Sequence, residues 1–152
     1  MTYEETLMLC DEHGLTVKEL PLEAHDGLIL GSRVAIRSNI PTSAEKSQVA
    51  AEELAHSMVT VGNILDQDNI FNLKMEMWAR SMAYDLKIGL EGLINAYNAG
   101  CRNWHEVADY LDCTEDFLRE AVERYREKYG ICVDVNEYTV YFEPRLAVIK
   151  YN

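Results

Sequence analysis

The alternation of apolar and polar positions divides the chain into readable stretches. "TYEETLMLCDEHG" places Tyr3, Leu7, Met8 and Cys10 at helical spacing and stops at Gly14. "LTVKELPL" alternates as a short strand, and Pro21 confines it to a sheet edge or end. In "GLILGSRVAIRS" two β-prone runs, 28–30 and 33–36, flank Gly31-Ser32, which predicts a tight hairpin. The first forty or so residues therefore predict a helix and a small antiparallel sheet. A helix begins after "PTS", capped by Thr42 or Ser43, with Val49, Leu54 and Met58 on or near its apolar side and Gly62 at its end. After the loop "NILDQDN", Phe71, Met75, Trp78, Met82 and Leu86 recur on one face of a long helix over 69–87.

Beyond Gly89 the texture shortens. "LEGLINAYNAG", "NWHEVADYLD" and "TEDFLREAVERYREKYG" predict three short helices, the last capped by Thr114 and stopped by Gly130. The tail "ICVDVNEYTVYFEPRLAVIKYN" is rich in Val, Tyr, Ile and Phe and predicts two or three strands, with a turn at "VNEY". The expected organisation is a core over 1–88, a helical segment with helix-turn-helix cadence over 89–130, and a β-rich tail over 131–152. The fold class is α+β.

A chain of 152 residues suits one compact domain or a core with a small appendage. Acidic residues number 26 against 14 basic ones, a net charge of −12. Such a surface repels phosphate backbones and anionic membranes, and is suited to a basic partner. Cys10, Cys101, Cys113 and Cys132 have neither disulfide-framework nor zinc-ribbon spacing, so reduced thiols in a cytoplasmic protein are expected. The acidic, amphipathic N-terminus is no signal peptide, and no apolar run approaches the roughly 20 residues of a membrane span.

The chemistry concentrates in "VAAEELAH". On a helix, Glu52 and His56 are four residues apart and project from one face, where they could share a metal ion. Glu53, about 100° around the axis, could reach a water at that ion without being a ligand. This is a His-Glu-x-x-His pattern with glutamate in the first position. Zinc accepts carboxylate oxygen, although a further anionic ligand weakens its Lewis acidity. Another ligand must come from elsewhere, and Glu76, beside the apolar stripe of the second long helix, is the candidate. Spacing alone leaves the alternative open that these are a solvated pair of acids, an ordinary histidine and a rim charge.

The run "TSAEKSQVAAEELAHSMVTVGNILDQ" resembles the ImmA/IrrE family of metallopeptidases, in the short forms carried by phages and mobile elements. The likeness covers Ala44-Glu45-Lys46, Ala51 through His56, and Thr60 through Asp66. It continues in "EMWARSMAYDLKI" and in the helices up to Gly130. It implies a zincin-like core, a small twisted sheet with the active-site helix packed on it. It also implies Zn²⁺ held by Glu52, His56 and Glu76, Glu53 as general base and acid, and a DNA-binding repressor as substrate. Three positions depart from the family pattern: Glu52 for the usual histidine, Ala55 for glycine, and Ser57 where phage forms often carry another histidine. The metal set would then be two carboxylates and one imidazole, with Asp66 and Asp68 read as loop acids.

Two other functions compete. A catalytically degenerate member of the fold could grip a repressor without cutting it, and the incomplete histidine set supports that. DNA could instead be bound through "WHEVADYLDCTEDFLREAVERY", with 114–129 as recognition helix. That helix carries Arg119, Arg124, Arg126 and Lys128 but more acids than bases, which disfavours a phosphate-tracking role. His13, His25 and His105 read as ordinary helix-end and turn residues.

Overall fold

The computed structural model describes residues 1–59 and 69–151, with side chains over 1–59 and 73–151. The expected helix end at Gly62, the 60–66 part of the motif, Asp66, Asp68 and the side chain of Phe71 lie outside the described residues. The chain is α+β and divides into two compact units, Met1–Ala83 and Tyr84–Asn152.

In the first unit, α1 (Tyr3–Glu12) starts at a capping box in which Thr2 and Glu5 satisfy each other's backbone N–H. Strands β1 (Thr16–Leu20), β2 (Gly27–Leu30) and β3 (Arg33–Arg37) follow. β2 and β3 form the expected hairpin across Gly31-Ser32, with Leu30 opposite Arg33. The sheet is nonetheless mixed, not antiparallel. Its order is β1-β3-β2, and β1 pairs with β3 in parallel. The chain skips one position after β1, lays down β2 and returns through the gap, so β3 becomes the central strand. Val34 and Ile36 of β3 are buried.

Helix α2 (Ser43–Val59) is capped by Thr42, whose hydroxyl accepts the Glu45 backbone N–H at 3.2 Å. It packs on α1, β2 and β3. Its buried face differs from the expected one. Ala50, Ala51, Leu54 and Ala55 are fully buried, whereas Val49 and Met58 are half-buried. Small residues win because α1 approaches closely. The Thr6 and Ser47 hydroxyls meet at 2.9 Å in the interior, and Cys10 lies against the Ala50 carbonyl. Helix α3 (Asn69–Lys87) has the predicted length, but its buried spoke is Met75, Ala79 and Ala83, while Trp78 is 53% exposed.

The second unit contains α4 (Gly89–Asn98), α5 (Trp104–Tyr110), α6 (Glu115–Tyr129) and strands β4 (Cys132–Val135), β5 (Tyr138–Tyr141) and β6 (Ala147–Lys150). Thr114 caps α6 through the Phe117 N–H, and Gly130 ends it at φ +87°, a conformation glycine adopts without a Cβ clash. The three strands form an antiparallel meander in the order β4-β5-β6. They pack on α4 and α6, so the helical segment and the tail share one core. Phe142 lies 6.1 Å from Tyr125 and 6.2 Å from Tyr129, ring centre to ring centre, which ties the tail to α6. The cysteines are free, and burial raises the thiol pKa of Cys10 and of Cys113 to about 11. Among the described residues, no helix is long and apolar enough to cross a membrane.

Candidate functional site

Glu52, Glu53 and His56 lie on α2, and Glu76 lies on α3. The two helices bring His56 and Glu76 together. Nε2 of His56 is 3.0 Å from a carboxylate oxygen of Glu76. On the other side of the ring, Nδ1 is 3.6 Å from a Glu53 carboxylate oxygen, within ion-pairing range. The imidazole thus stands between two carboxylates. Glu53 is 8% exposed, while the Glu76 side chain is 68% exposed and reaches solvent.

The burial of Glu53 has a local cause. It faces β2 at Gly27, and a Cβ placed there would meet Val49 Cγ1 at 2.7 Å and Glu53 Oε1 at 2.8 Å. Only a residue without a side chain lets the strand come so near the carboxylate. Among the described residues β2 pairs with β3 alone, so the other edge of β2 makes no strand pair.

Glu52 is placed differently. Its carboxylate is ion-paired and hydrogen-bonded with the Arg80 guanidinium of α3. The motif spacing assigns Arg80 no role. The available signal was its position one turn after Glu76, which puts both residues on one face of α3. Among the described residues, no three His, Cys, Asp or Glu side chains lie together as a ready metal cage.

His56 titrates well above an ordinary histidine, at about 9. The Glu53 carboxylate beside Nδ1 is the largest cause. Burial opposes it, and Glu76 adds a hydrogen bond and charge attraction. In the metal-free chain the imidazolium is the bridge between the two acids.

The donor pair can be tested against a zinc ion. Two ligands at about 2.1 Å in tetrahedral geometry stand about 3.4 Å apart. His56 and Glu76, 3.0 Å apart, are a few tenths of an ångström from that spacing. One imidazole and carboxylates are ligand types zinc accepts, so this pair fits the ion once His56 has lost its proton. Glu52 completes the set only by sharing or leaving Arg80. His13 is the C-terminal cap of α1, with Nδ1 2.9 Å from the Leu9 carbonyl. His105 is 3.4 Å from Glu115.

No family model, curated protein or solved structure matches the chain.

Proposed function

We propose that the protein is a zinc-dependent endopeptidase of the ImmA/IrrE type, acting on a basic, DNA-binding repressor. The observation that carries this reading is the meeting of His56 with Glu76 from 20 residues further along the chain, with Glu53 on the opposite ring nitrogen. His56 and Glu76 would hold the ion, with Glu52 as the further ligand. When bound, zinc would polarise the scissile carbonyl and acidify the attacking water. Glu53 would take the proton from that water as the oxygen adds to the carbonyl carbon, and deliver it to the amide nitrogen as the C–N bond breaks. The edge of β2 that pairs with no described strand, next to Glu53, is suited to an extended peptide lying alongside as an added strand.

The first test is metal content per chain by elemental mass spectrometry after dialysis against trace zinc. About one zinc per chain is expected, with loss in Glu76→Ala. No zinc above background in either protein would remove the metal centre. With zinc established, a proteome-derived peptide library read by mass spectrometry should give discrete fragments, and Glu53→Gln should keep the zinc but abolish cleavage.

A second reading has its own observation. The Arg80–Glu52 ion pair occupies the carboxylate a third ligand would supply, which favours a repressor-binding protein of the same fold without proteolysis. Stable capture of intact repressor by metal-free protein would select it.

A further inference from the structure

The second unit contains a cavity that the proposed peptidase chemistry does not use. It has a volume of about 480 Å³, within the range of small-molecule sites. Its walls come from the end of α4, the loop leading to α5, the start of α5, and the segment before and into β6. Buried Leu93, Val107 and Val148 supply an apolar floor. Tyr97 and Trp104 supply aromatic surface.

The charged groups around it have one sign. Among the described residues, Arg102 and Arg145 line the cavity and no acidic residue does, although the chain has 26 acids and 14 bases. Arg102 is already positioned. Its Nη1 donates to the Tyr97 carbonyl at 2.9 Å and the Cys101 carbonyl at 2.8 Å, and its guanidinium lies 4.2 Å from the centre of the Tyr97 ring. Arg145 differs, for it makes no hydrogen bond, ion pair or ring contact with any described residue. A guanidinium without an acid, at the edge of an apolar cavity in an acidic protein, is a ready partner for an incoming anion. Arg102 has one nitrogen committed to backbone carbonyls, so Arg145 provides the main pairing group, which matches a single negative charge.

We propose that this cavity binds a small organic monocarboxylate. Its aryl or short acyl body rests on Leu93, Val107 and Val148 beside Trp104, and its carboxylate pairs with Arg145 while Arg102 adds positive potential. The site is independent of the proposed metal centre, and the proposal stands whether or not the chain is a peptidase.

The test uses the full chain, labelled with ¹⁵N, and 4-phenylbutyrate as probe. The readout is the indole N–H resonance of Trp104, assigned by its loss in Trp104→Phe. A saturable shift is expected, together with slower alkylation of the half-buried Cys101, which lines the same cavity. The neutral analogue 4-phenylbutan-1-ol should bind about tenfold more weakly, because it forgoes a charge-assisted hydrogen bond. Arg145→Gln should weaken the acid by a similar factor at an unchanged melting temperature, since the side chain is exposed. No shift up to about 10 mM acid would overturn the proposal. Equal binding of the alcohol, or an Arg145→Gln protein that binds as well as the parent, would do the same. Tighter binding of phenyl phosphate than of the carboxylate would overturn the assignment of a monoanion.

Discussion

His56 links α2 to α3 through Glu76 and pairs with Glu53 on its own helix, and its proton favours both contacts in the metal-free chain. Its folded pKa, about 9, lies above the ordinary 6.5 because Glu53 and then Glu76 favour the imidazolium against the opposing effect of burial. The sign follows from linkage. The folded state keeps the proton longer than the unfolded state, so this contribution to stability is complete below pH 6.5 and is lost as pH rises towards 9. Thermal melts in excess chelator should therefore decline over that window, and His56→Gln should remove that part of the decline. Arg80 is the second residue that matters here. Its positive charge sits on Glu52 and repels a cation bound beside it. Arg80→Gln should tighten zinc binding roughly tenfold, the scale of one nearby charge in a solvated site. Competition with a chelating dye would measure it. An unchanged or weaker affinity would mean that Arg80 instead orients Glu52 as a ligand.

At the scale of elements, the site depends on how closely β2 approaches α2. Gly27→Ala would put a methyl group against Val49 and the Glu53 carboxylate. The expected cost is about 1–3 kcal/mol in urea denaturation, as for overpacking elsewhere. Peptide cleavage should fall with it, because Glu53 must move. An ordinary Gly-to-Ala substitution in an uncrowded strand would instead be neutral or stabilising. A midpoint equal to or above the parent's would show that the strand can withdraw at no cost. The helix boundaries were legible because their causes are local. Thr42, Thr114 and Gly130 act within one turn of the helix they cap or end, and the structure uses each as read. The buried faces were less legible. Periodicity marked Val49, Met58 and Trp78, but the close approach of α1 selected Ala50, Ala51 and Ser47 on α2, and Trp78 remains largely exposed.

For the whole molecule, charge governs which partners can approach. A net −12 disfavours nucleic acid, and the basic residues of α6 are already engaged. Arg124 pairs with Glu127, Arg126 with Glu123 and Glu143, and Arg119 lies over Trp104. Duplex DNA should show no mobility shift even at about 50 mM salt, where non-specific phosphate contacts are strongest. A salt-sensitive shift would return the helix-turn-helix cadence to consideration as a DNA reader.

The sequence by itself determined the α+β class, the order of the helices and the start of α2, the β2–β3 hairpin and the strands of the tail. Backbone sterics, caps and side-chain period act between residues a few positions apart, and one chain displays them fully. It also singled out Glu52, Glu53 and His56, whose spacing carries a chemical pattern, and Glu76, an acid beside the apolar stripe of the next helix. Tertiary structure alone decided that β1 runs parallel to β3, that the tail shares a core with the helices before it, and that Arg80 takes Glu52. It alone gathered Arg102 and Arg145 around one cavity. Each of these joins residues far apart in the chain, where the choice of partner is settled by competition among many packings and not by any local preference.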